Sequence, residues 1–125
     1  MIDKVAWLRI EGDRVLCARS HGKTVFYLPG GKREPGESDL DTLVREIREE
    51  LAVDIAAETA RPMGVFTAQA DRQREGVLVR MSCYAAEYSG EIAASNEIAE
   101  VAWLTYADRE RVAPVDKLIF DEFLR

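Results

Sequence analysis

Glu46, Glu49 and Glu50 stand at i, i+3 and i+4 near the end of a stretch that opens on two glycines, GGKREPGESDLDTLVREIREELAV, residues 30–53. On a helix that advances roughly 100° per residue they share one arc about 100° wide. Carboxylates crowded in this way repel one another, weakly on an exposed helix and more strongly when half-buried. Arg45 and Arg48 relieve part of that repulsion. A hard divalent cation relieves more, since Mg²⁺ takes oxygen ligands from one or two carboxylates, from water and from substrate phosphates. Taken alone, three acids in five residues more often mark a solvated helix face.

The residues before the helix shift that balance. Gly30-Gly31 ends an apolar run and lets a ligand approach the backbone closely. Lys32 and Arg33 follow, Pro35-Gly36 sets a turn, and Ser38 is the expected N-cap, with Asp39 and Asp41 favourable in the first turn. The chain has no GxxxxGK[ST] phosphate loop. Leu40, Leu43, Val44, Ile47 and Leu51 form a second arc, centred roughly 120° from the acids. One face of the helix is thus free to be buried while its neighbour presents carboxylates.

These residues resemble the Nudix box, whose pattern is a Gly, five residues, a Glu, seven residues, then Arg-Glu-apolar-x-Glu-Glu-x-Gly-apolar. The matching positions are Gly31, Glu37, Arg45, Glu46, Ile47, Glu49, Glu50, Ala52 and Val53. Every charged position agrees. The box glycine is replaced by Ala52, which predicts a helix end built differently, one residue longer.

The resemblance implies an α/β fold of the Nudix type, an α/β/α sandwich with a mixed sheet between the box helix and a C-terminal helix. It implies one domain over residues 1–125 and hydrolysis of a diphosphate linkage in a nucleotide. By the same resemblance Mg²⁺ (or Mn²⁺) is held by Glu46, Glu49, Glu50 and the Gly30 carbonyl. Arg45 orients the glutamates, including Glu37. Glu97, six residues before Trp103, is a further ligand or the general base, with Glu100 its competitor; which glutamate takes the proton is left open. Arg19, Lys32 and Gly31 are implied on the substrate side, Phe26 or Tyr27 is a candidate to stack on a base, and Asp116 is a candidate to read it. The activity implied is that of a MutT-like nucleoside triphosphate pyrophosphohydrolase releasing a monophosphate and pyrophosphate, with an oxidised or non-canonical nucleotide among the substrates considered. CTP, ADP-ribose or a diadenosine polyphosphate is the nearer alternative, and a non-catalytic nucleotide-sensing module the more distant one.

Composition bounds these readings. The 125 residues suffice for one domain with a real core. A net charge of −6 argues against a general nucleic-acid-binding surface, which needs a basic face. Cys17 and Cys83 lie in apolar runs and read as reduced core residues. The N-terminal MIDKVAWLRI is charged and alternating, unlike a signal peptide or a membrane span, so the cytoplasm is the expected compartment. The expected partner is a nucleotide, with no nucleic acid polymer and no membrane, and the chain a monomer or homodimer.

The scaffold expected around the box is mostly strand. Residues 4–10 and 14–19 form a hairpin about Glu11-Gly12-Asp13, and 24–28 a third strand. Further strands are expected at 53–57, 63–68, 77–88 and 101–104. Residues 69–76, QADRQREG, read as an exposed hairpin loop, the place where specificity tends to lie. A short helix start is expected at 105–111, then a terminal helix at 114–124 with Leu118, Ile119, Phe123 and Leu124 inward.

Overall fold

The structure is a computed structural model describing all residues, Met1–Arg125. Nine strands, two α-helices and two short 3₁₀ turns alternate along the chain. The central sheet contains β1 (Ile2–Trp7), β4 (Gly30–Gly31), β6 (Arg61–Gln69) and β7 (Leu78–Ala85) in the order β4-β1-β7-β6. β1 and β7 run parallel, and the other pairings are antiparallel, so the sheet is mixed. A second sheet joins β2 (Ile10–Glu11), β3 (Arg14–Ser20) and β9 (Ile98–Leu104), and a small ladder joins β5 (Asp54–Ile55) to β8 (Tyr88–Ser89).

Why the middle strands read as apolar runs is plain from their two faces. In β1, Val5 and Trp7 pack with Leu43, Ile47 and Leu51 of α1 (Asp39–Leu51). Ala6 and Leu8 point the other way, into a core shared with Val115, Ile119 and Phe120 of α2 (Pro114–Phe123). Strands covered on both sides need apolar residues at successive positions. The helix–sheet–helix sandwich follows, as expected.

Three local expectations are corrected. Residues 24–28 form no continuous strand. Phe26 and Tyr27 instead make single bridges to different neighbours, Val112 and Ala18, so the segment is a wedge between β3 and the turn before α2. In α2 the buried residues are Val115, Asp116, Ile119 and Phe120, whereas Leu118 is 39% exposed. Leu118 lies roughly 130° from the centre of that buried stripe.

The third correction concerns Ala52. The helix ends at Leu51 and is not extended; Ala52 itself takes the left-handed conformation, φ 60° and ψ 28°, with its N–H on the Arg48 carbonyl. The turn is needed at once because Val53, the next residue, is buried in the core beneath α1. A Cβ in this conformation costs about 1–2 kcal/mol, part of which a glycine returns as unfolded-state entropy. Ala52→Gly should therefore raise stability by about 0.5–1 kcal/mol, or roughly 2–4 °C in Tm. Thermal unfolding checks this, and an unchanged or lowered Tm would show that the site carries no strain.

Candidate active site

The box helix is anchored at its start before it presents any acid. Ser38 caps it in a reciprocal pair with Asp41: Ser38 Oγ accepts from the Asp41 N–H, and Asp41 accepts from the Ser38 N–H, each at 3.1 Å. Glu37, just outside the cap, takes four donors: the Glu34 N–H, the Thr42 hydroxyl, and Arg45 through Nε at 2.7 Å and Nη2 at 2.9 Å. The forked Arg45 contact pulls the Glu37 carboxyl down to about 2, well below its ordinary range. Arg45 also donates to Glu46 at 2.8 Å and to the Lys32 carbonyl at 3.1 Å. One guanidinium thus ties the glycine loop, Glu37 and the first acid of the cluster together.

The glycines meet that cluster from the other side. β4 is a two-residue strand paired with Val5 and Ala6 of β1. A Cβ on Gly31 would lie 2.4 Å from the Glu46 carboxyl carbon, so the missing side chain is the space the carboxylate occupies. The Gly30 N–H donates to Glu50 at 3.2 Å.

Glu97 arrives from the loop before β9. That loop closes on the C-terminal end of α1: Asn96 Nδ2 donates to the Glu49 carbonyl, the Ser95 N–H to the Glu50 carbonyl and the Ala93 N–H to the Leu51 carbonyl. Asn96 is held at φ 52°, a conformation Asn tolerates better than most residues. The result places one oxygen each of Glu46, Glu50 and Glu97 within 4.8 Å of one another. Glu49 is not in that group; its side chain is 48% exposed and lies 3.6 Å from Arg45.

The electrostatics are those of a site short of positive charge. Burial raises the Glu50 carboxyl well above its ordinary range, and the neighbouring Glu46 charge raises it further. Glu46 is raised too, by burial, with Arg45 opposing. Three converging carboxylates, two of them reluctant to ionise, form an all-oxygen donor set that suits a hard divalent cation.

A cavity of about 210 Å³ opens beside this cluster, lined by Gly30, Gly31, Glu50 and Glu97 and also by Lys4, Lys23 and Tyr27. A second cavity of about 180 Å³ shares Lys4, Lys23, Tyr27 and Met81 with it and adds Lys32, Asp71 and Val115. The Tyr27 hydroxyl donates to Asp71 at 2.8 Å, latching the hairpin loop between β6 and β7 to the cavity wall. Arg19 lies outside both cavities, with Nε on Glu100 at 3.2 Å and Nη1 on the Lys23 carbonyl. Lys4 and Asp71 were not singled out by sequence: a strand lysine and a loop aspartate carry no spacing signal until the fold joins them.

Asp116 is fully buried behind the wall. Oδ1 accepts from the Leu28 N–H at 2.9 Å, and Oδ2 has no partner. Burial pushes its carboxyl up to about 7, against an ordinary 3.8. A folded-state pKa above the unfolded one means the native chain keeps the proton longer, so stability is lost as pH rises from about 4 to 7. Asp116→Asn keeps the acceptor for Leu28 and removes the charge, but leaves a buried N–H worth about 1–3 kcal/mol unpaired. The variant should gain about 1–3 kcal/mol over the parent at pH 8 and lose stability against it at pH 4. Urea unfolding at both pH values tests this; a difference independent of pH would mean Asp116 is ionised throughout.

Comparison with known proteins adds an independent line. A family model described as the NUDIX domain matches residues 3–123. A Bacillus subtilis (strain 168) protein described as the uncharacterized Nudix hydrolase YvcI is 26% identical over 115 residues, covering 90% of this chain and 73% of that protein. Among solved structures, a mutator MutT protein from Bacillus halodurans superposes with a TM-score of 0.75 at 26% identity, covering all of this chain and 83% of the other. The E. coli ORF135 protein gives a TM-score of 0.70 at 26% identity, covering 98% and 88%. A MutT NUDIX hydrolase from Burkholderia pseudomallei, at 20% identity and a TM-score of 0.79, shares the fold over 98% of this chain and 97% of its own.

Proposed function

The chain belongs to the Nudix family and is one of its hydrolases, acting on a nucleotide, and on that footing we propose that it is a MutT-like pyrophosphohydrolase that cleaves a nucleoside triphosphate to the monophosphate and pyrophosphate. The observation that carries this is the convergence of Glu46, Glu50 and Glu97 at the end of a cavity bounded by Gly30 and Gly31. The two cavities in series support a substrate with its phosphates at the acids and its nucleoside beyond.

Phosphoryl transfer asks little covalent chemistry of a protein; position and charge neutralisation supply most of the acceleration. Mg²⁺ is the cofactor that suits this donor set: Glu46, Glu50 and Glu97 would hold it, with Glu49 and the Gly30 carbonyl in support, and it would neutralise phosphate charge and acidify the attacking water. Arg45 fixes Glu46 and, through Glu37 and the Lys32 carbonyl, the loop that faces the phosphates. The Gly30 N–H fixes Glu50. Glu50 is assigned as acceptor of the water's proton, because it is the buried member of the cluster and the Gly30 N–H holds its carboxylate in place. Lys32 contacts phosphate and Tyr27 offers its ring to the base. No helix of the chain is long and apolar enough to cross a membrane.

A nucleotide panel with Mg²⁺ and added pyrophosphatase tests the reaction by phosphate release. The proposal expects turnover of at least one nucleoside triphosphate, with the monophosphate as co-product. Inert triphosphates alongside turnover of a nucleotide sugar or dinucleotide would overturn it.

A further inference from the structure

Lys4 is a lysine where the strand register calls for a core residue. Along β1, Lys4 falls on the same face as Ala6 and Leu8, both buried under α2, and it stands opposite Met81 in the parallel ladder with β7. It is half-buried and forms part of the wall common to both cavities. Its ammonium lies 5.4 Å from the centre of the Tyr27 ring and has no carboxylate within ion-pairing distance.

Three of the surrounding acids are otherwise engaged. Asp71 accepts from the Tyr27 hydroxyl, Asp3 from Arg80, and Glu50 from the Gly30 N–H. Asp116 is fully buried, with one oxygen on the Leu28 amide and the other unpartnered; it feels the Lys4 charge but makes no ion pair with it. Lysine brings three donors and no acceptor. A half-buried donor set with only a ring face beside it is incomplete without an acceptor from a ligand. Lys4 and Tyr27 line both cavities whereas Glu50 and Glu97 line only the first, so a ligand with its phosphates at the acids and its nucleoside reaching into the second cavity passes Lys4.

We propose that Lys4 is a specificity residue that donates to a carbonyl oxygen of the base, O6 of guanine or O4 of uracil and thymine, so that the site favours these nucleotides over adenine and cytosine ones. Adenine and cytosine carry at the corresponding position an amino group whose N–H dipoles oppose an ammonium, whereas guanine presents O6 and N7 together as acceptors. This inference rests on the triphosphate reading above and names which triphosphates the site takes.

The test compares kcat and KM for GTP, CTP, UTP and ATP with Mg²⁺ in the wild type, Lys4→Met and Lys4→Arg. Methionine keeps the length and apolar stem; arginine keeps donors. Wild type should prefer GTP and UTP over ATP and CTP. Lys4→Met should lower kcat/KM for the preferred one by about 10–100-fold, mostly through KM, with little change for ATP. Lys4→Arg should retain much of the preference, and melting curves report that both variants are folded. An equal fall for all four nucleotides would assign Lys4 to phosphate and overturn the proposal while leaving the reaction standing. An unchanged profile would also overturn it. If wild type hydrolyses no triphosphate, the reaction itself fails and this inference with it.

Discussion

Glu50→Gln should lower kcat by about 10³-fold or more while the protein stays folded. The side chain keeps its length, and a glutamine oxygen can still accept from the Gly30 N–H. What disappears is a buried carboxylate that both completes the three-acid cluster and, in our assignment, takes the proton from water. Stability should move the other way. Burial and the Glu46 charge raise the Glu50 pKa in the folded chain, so the native state is progressively less favoured as pH climbs above the unfolded value of 4.5. Removing the charge should leave the metal-free variant at least as stable as the parent at pH 8. Steady-state kinetics beside thermal unfolding separate the two effects. A folded variant with near-normal turnover would take Glu50 out of the reaction.

Gly31→Ala should cost about 10²-fold in kcat/KM with only a small loss of stability, a prediction sharpened by contrast with its neighbour. A methyl at Gly31 would meet the Glu46 carboxylate at 2.4–2.7 Å. That group is the end of a flexible side chain, so it swings aside. In doing so it leaves its Arg45 contact and the cluster with Glu50 and Glu97. At Gly30 the same methyl would lie 2.0 Å from the Val5 carbonyl oxygen, with φ already at 154°. The β1–β4 ladder cannot yield there, and Gly30→Ala should destabilise by about 3 kcal/mol or more. Activity and urea unfolding on both variants check the pair. A Gly31→Ala enzyme with full activity would show that the position of Glu46 is not critical.

The helix was legible because its two arcs are set by one period. The same arithmetic explains why Glu49 and Glu50 part company. With Glu46 at the origin, Glu50 lies roughly 40° towards the apolar arc and Glu49 roughly 60° away from it. Glu50 is accordingly buried, and Glu49 faces solvent. Glu97 was implied only by the family resemblance, at its spacing before Trp103, and the Asn96 and Ser95 contacts that hold its loop against α1 depend on backbone carbonyls, which leave no trace in side-chain pattern. β4 escaped for a similar reason: two glycines have no side chains to alternate. The left-handed Ala52 ran against its residue type, and only the burial of Val53 just beyond explains the sharp exit.

Hydrolysis in this site depends above all on Glu46, Glu50 and Glu97 gathering a divalent cation. Anomalous diffraction at the manganese edge, from crystals soaked in Mn²⁺, tests it most directly. The expected result is a peak at bonding distance from carboxylate oxygens of these three residues, absent in Glu50→Gln crystals. A soaked wild-type crystal with no peak there, and Glu46 still paired to Arg45, would contradict it.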